Sequence, residues 1–174
     1  MPKSNFTPEE WAQISASPMV AGMAITASDP GGFWSILKEA MSSGWAMLEV
    51  KQDGTANPLA KAVADDISDP TLRASVRERM QTRFEGSEVR DFKSKAIAEL
   101  RSVAALVDTK SPAEAPGFKT WLQGVAQKAA EAGQEGGFLG FGGVAVSEAE
   151  KATLDEIASA LGVSPGSAAP RRVS

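Results

Sequence analysis

Three stretches of the chain bring together residue types able to do chemistry. The first is Gly136-Gly137-Phe138-Leu139-Gly140-Phe141-Gly142-Gly143. Glycines let backbone amides approach a ligand closely, and a helix opening at Ser147 would aim its free amides at an anion. Yet the stretch lacks the Gly-Lys-Ser/Thr ending of a phosphate loop, follows no strand and fails the dinucleotide fingerprint. Its Phe138, Leu139 and Phe141 therefore point first to a core plug, next to a partner-binding surface, and last to a ligand loop.

The second stretch holds Asp65, Asp66 and Asp69. Carboxylates so close together suit a hard cation such as Mg²⁺, Ca²⁺ or Mn²⁺. The acidic ladder and glycine of a calcium loop are missing, however, and Asp69 stands before Pro70 as a helix cap. A helix end followed by a cap accounts for the set, so no metal site is assigned. The third stretch is the basic run Arg73, Arg77, Arg79, Arg83, Arg90, Lys93, Lys95 and Arg101. From Pro70 to Arg101 there are eight basic and five acidic residues, against ten and seventeen in the rest of the chain. The interleaved Glu78, Glu85, Glu88, Asp91 and Glu99 favour solvated, salt-bridged helix faces over a nucleic-acid surface.

What is missing closes off more chemistry than these stretches open. The chain has no Cys, no His and no Tyr. Thiolate nucleophiles, disulfides, Ser-His-Asp triads, imidazole bases and the common zinc and haem ligand sets are excluded. Any general acid or base must be Asp, Glu or Lys, and any metal must be held by oxygen. No catalytic residue and no cofactor is assigned. The net charge of −4 argues against general affinity for nucleic acid or anionic lipid.

The elements that must position these residues are helices. Thr7-Pro8-Glu9-Glu10 combines an N-cap, a Pro at the first helical position and a capping box, and Phe6 and Trp11 fit a hydrophobic staple. Ser17-Pro18 predicts the end of this helix, and Pro18 the start of a short second one through Ala27. That second helix, with Met19, Val20, Met23, Ala24 and Ile25, has no polar face and belongs in the core. Cap-then-Pro signals recur at Asp29-Pro30, Asn57-Pro58, Asp69-Pro70 and Ser111-Pro112. Apolar residues at helical spacing follow each of them.

Ser87 predicts a further cap, Ser111 and Ser147 pair with Glu114 and Glu150 as capping boxes, and Gly162 follows Leu161 as a terminator. The four Trp stand at 11, 34, 45 and 121. Trp34 sits off its apolar stripe, where an indole can line a pocket. No segment alternates as a strand does. The expectation is an all-α array or bundle of seven to eight helices: a helical domain over 1–162 and a flexible tail over 163–174. The longest apolar stretch, Met19 to Ala27, has nine residues, whereas a membrane span needs about 20. The N-terminus has no apolar signal region. A cytoplasmic location with no membrane span follows as the expectation.

Two segments resemble the tellurite-resistance TerB-like helical domains of bacteria. One is Met23-Ala24-Ile25-Thr26-Ala27-Ser28-Asp29, similar to that family's alanine-rich helix entering an acidic turn. The other is Ser147-Glu148-Ala149-Glu150 with Leu154, Ile157, Ala158, Leu161 and Gly162, similar to its capped terminal helix. Asp29 is followed by Pro-Gly-Gly-Phe-Trp rather than the family's Gly and nearby Glu, so its acidic metal site does not carry over. Taken whole, the chain resembles uncharacterised bacterial all-helical proteins, which implies no activity. The functional expectation is a non-enzymatic protein acting through an unidentified protein partner or self-association. Phe138, Leu139, Phe141 and Trp34 are its candidate contact residues. The alternative is a small-ligand or carboxylate-metal (Mg/Ca/Mn) binding protein in a stress-related role.

Overall fold

The computed structural model describes residues 2–28, 57–85, 89–135 and 146–165. The first helix opens at Thr7. Its Oγ1 accepts from the Glu10 amide at 3.3 Å, and Glu10 Oε2 accepts from the Thr7 amide at 2.8 Å. Each bond satisfies a donor that the helix start leaves unpaired. Phe6 and Trp11 close the staple with ring centroids 6.0 Å apart. A short 3-10 turn, Pro2–Asn5, precedes the cap.

Helix α1 then runs from Pro8 to Thr26 without interruption. This corrects the expected break at Ser17-Pro18. A proline inside a helix removes one hydrogen bond, leaves the carbonyl four residues back unserved and costs about 3 kcal/mol. Here the orphaned carbonyl is that of Ile14, and the Ser17 hydroxyl donates to it at 2.6 Å. Ile14, Ala16, Val20, Ala21, Ala24 and Ile25 are all buried. Packing on several sides outweighs the local preference, so the two expected helices are one.

Asn57 caps α2, Pro58–Ser68, through its Oδ1, which accepts from Leu59 and Ala60 amides at 3.0 and 3.1 Å. Asp69 Oδ1 accepts from the Thr71 amide at 2.8 Å and so opens α3, Pro70–Phe84. Helix α4 spans Val89–Lys110. Ser111 to Glu114 form a turn before α5, Ala115–Glu135. Helix α6, Glu148–Leu161, carries the expected Ser147–Glu150 capping box. At its far end Gly162 adopts φ +68°, a left-handed conformation that glycine takes without strain. Val163 donates to the Ala158 carbonyl at 3.0 Å and Gly162 to that of Ser159 at 3.2 Å, which completes a Schellman cap.

Among the described residues there are thus six α-helices and one 3-10 turn, with no strand. The expected helix from Pro30, the Ser87 cap and residues 166–174 of the tail lie outside the described residues. Helix α1 is the centre of the array. It packs mainly on α4 and α5, while α6 fills the space between those two and α2 and α3 flank them. Phe118, Leu122, Leu100, Val103, Ile157 and Leu161 share one core with the buried residues of α1 and are almost wholly excluded from water. Each such burial contributes about 1.5–3 kcal/mol. No described helix is long and apolar enough to cross a membrane.

The cap of α1 also makes the fold sensitive to acid. Lys110 Nζ donates to Glu10 Oε2 at 2.9 Å, on top of the bond from the Thr7 amide. These partners, Lys110 foremost, hold the Glu10 carboxyl below its ordinary range. A carboxylate lowered in the folded state stabilises it above the unfolded value and loses that contribution as pH falls through the folded one. Unfolding midpoints in urea should therefore fall below about pH 4.5 by less in Glu10→Gln than in the parent chain. Identical pH profiles for the two proteins would contradict this.

Candidate functional site

Helix α3 buries Val76 and Met80, four residues apart, against the body of the protein. The neighbouring rows of the same helix are polar. Ser75, Arg79 and Arg83 stand four residues apart, beside Glu78 and Thr82, and all five face an open cleft. Residues at that spacing lie one above another on a helix surface. Helix α4 contributes Glu99 and Ser102 to the opposite wall, and α1 contributes Gln13. The cleft has a volume of about 790 Å³. Among the described residues, no apolar side chain lines it.

The polar groups differ in how far their bonding capacity is used. Gln13 Nε2 donates to Ser102 Oγ at 3.0 Å, tying α1 to α4. The Ser75 and Thr82 hydroxyls donate to carbonyls of their own helix, Thr71 at 3.4 Å and Glu78 at 3.1 Å. Glu99 is buried, with 6% of its side chain exposed, and Arg83 satisfies it. Both Nε and Nη2 of Arg83 lie 3.2 Å from the same oxygen, Oε2. The other face of that guanidinium is open to solvent, since 63% of the side chain is exposed. Arg79 is half-buried and Glu78 exposed, and neither side chain is engaged in an ion pair or hydrogen bond within the described residues.

The stretches singled out in the sequence fall elsewhere or change meaning. Phe138, Leu139, Phe141 and Trp34 lie outside the described residues, as does the whole of 136–143. Asp66 is a structural clasp: its Oδ2 accepts from Lys3 Nζ at 2.6 Å and Trp11 Nε1 at 2.5 Å. Lys3 also lies 5.3 Å from the Trp11 ring centre, a cation–π contact that adds to the clasp. Asp69 is the α3 cap. Among the described residues no three carboxylates converge as a metal site.

The basic run is in part salt-bridged, both to an interleaved acid and to an acid outside the run. Arg83 pairs with Glu99, and Lys93 pairs with Glu156 of α6 at 2.8 Å. What sequence reasoning missed is Gln13 and Ser102, and the convergence of part of this run on one cleft. The polar row Ser75, Arg79, Arg83 alongside Val76 and Met80 was the available signal. Which helices would face it was not. In comparison with known proteins, no family model, curated protein or solved structure matches the chain.

Proposed function

We propose that the protein is a non-enzymatic binding protein, whose cleft between α1, α3 and α4 receives a polar group of a small ligand or of a protein partner. The observation that carries this reading is the lining. Where three helices approach one another, side chains are ordinarily apolar and close the gap. Here every described side chain of the lining is polar, and the gap stays open. The Ser75 and Thr82 hydroxyls give their protons to carbonyls of their own helix, so neither is set up as a nucleophile by a neighbouring base. Such a site holds a molecule and does not transform it. The reading takes the setting to be bacterial and cytoplasmic, with a second copy of the chain as one form the partner can take.

A thermal-unfolding panel of nucleotides, organic acids, amino acids, sugars and divalent cations tests this, run beside sedimentation analysis. At least one polar compound should raise the unfolding midpoint, since a ligand at a hundred times its Kd stabilises by about 2.7 kcal/mol. Ser102→Trp, which fills the cleft from α4, should abolish that rise and keep the helical circular dichroism. A panel without response, together with a purely monomeric sedimentation profile, would overturn the reading.

A further inference from the structure

The charges in the cleft point to a more specific ligand, an inference that rests on the binding role just proposed. Among the described residues, four ionic side chains line it: Arg79, Arg83, Glu78 and Glu99. Arg83 and Glu99 neutralise each other through the buried carboxylate, so they present little net charge to a ligand. Among the described residues of the cleft, that leaves one guanidinium, Arg79, and one carboxylate, Glu78, outside any ion pair. These two are adjacent in sequence, and adjacent residues project about 100° apart around a helix, so they do not pair with each other. The helix keeps a positive and a negative group apart on the rim of one polar cleft.

We propose that the cleft recognises a small zwitterion of the amino-acid or short-peptide type. Its carboxylate would lie on Arg79, whose planar fork of donors matches two acceptor oxygens. Its ammonium would lie on Glu78. The bonded polar pair Gln13 and Ser102 on the facing helices would take the uncharged part of the molecule. A simple anion meets Glu78 as a repulsive neighbour, and a simple cation meets Arg79. Only a ligand carrying both charges satisfies both residues, which is specificity built by repulsion as well as attraction.

Isothermal titration at fixed ionic strength tests this with glycylglycine and L-serine as zwitterions. Sodium acetate and methylammonium chloride supply each charge alone, and sorbitol is the uncharged control. At least one zwitterion should bind saturably and at least tenfold more tightly than acetate or methylammonium. Arg79→Gln and Glu78→Gln should each weaken it tenfold or more with unchanged circular dichroism, and Lys151→Gln on the exposed face of α6 should not. Acetate binding as well as the zwitterion, or zwitterion binding that survives both cleft substitutions, would overturn the proposal. So would sorbitol binding alone, which leaves the polar cleft as a binding site and removes the charge reading. Failure of all five probes overturns the zwitterion, while the wider panel above decides separately whether the cleft binds anything polar.

Discussion

Replacing Phe118 with alanine should lower the free energy of unfolding by about 3–5 kcal/mol, a large share of the 5–15 kcal/mol typical of a domain. Phe118 is wholly buried and, among the described residues, is the largest of the fully buried side chains. It stands in the first turns of α5, where that helix meets α1, and its ring centre lies 5.4 Å from that of Trp121. Truncation removes apolar contact and leaves a cavity that helices pinned by their caps cannot easily collapse to fill. Phe118→Leu, which keeps most of the volume, should cost no more than about half as much. Urea unfolding followed by circular dichroism measures both. A loss below 1 kcal/mol for the alanine variant would mean that α1 and α5 are not held together as the structure has them.

The second large effect belongs to the cleft. Arg83→Ala should destabilise the protein by about 1–3 kcal/mol, because it leaves the buried Glu99 carboxylate without its partner. The figure is set below that of a fully buried pair because 63% of Arg83 is exposed and its half of the interaction is screened. The double variant Arg83→Ala/Glu99→Leu should recover most of the loss, since an apolar side chain needs no counter-charge there. A double-mutant cycle in urea separates the pair from either residue alone. If the single and double variants are equally unstable, Glu99 does not depend on Arg83.

How much of this was legible in the sequence follows from the range of each interaction. The boxes Thr7–Glu10 and Ser147–Glu150, the caps at Asn57 and Asp69, and the terminator Gly162 act within a few residues. Their residue types and spacing therefore sufficed. Pro18 misled because what rescues it is partly tertiary: Ser17 serves the orphaned Ile14 carbonyl, but the burial of α1 on several sides carries the rest. Glu114 misled in a similar way. Its side chain, expected to complete a cap with Ser111, accepts a bond from Asn57, 57 residues away. The cleft was the least legible feature. Arg79 and Arg83 were visible as members of a basic run, yet only the arrangement of three helices brings Gln13, Glu99 and Ser102 to them.

The meeting of Asn57 with α5 bears on how this sequence can vary. The Asn57 amide donates to the Glu114 carbonyl at 2.9 Å and to its carboxylate at 3.0 Å, while its oxygen caps α2. With both donors and both acceptor sites in use, the group has no other orientation open to it. A Cβ at Gly117 would fall 2.7 Å from that nitrogen and 3.4 Å from the Asn57 Cβ. The glycine is required for the room it leaves, with no part played by an unusual φ. Positions 57 and 117 therefore form one unit of inheritance. Alanine at 117 becomes tolerable once residue 57 shrinks to serine, which still caps α2 but no longer reaches across to α5. Alanine at 117 is blocked while Asn57 stands, so in relatives of this chain a side chain at 117 should appear only where residue 57 has already become smaller.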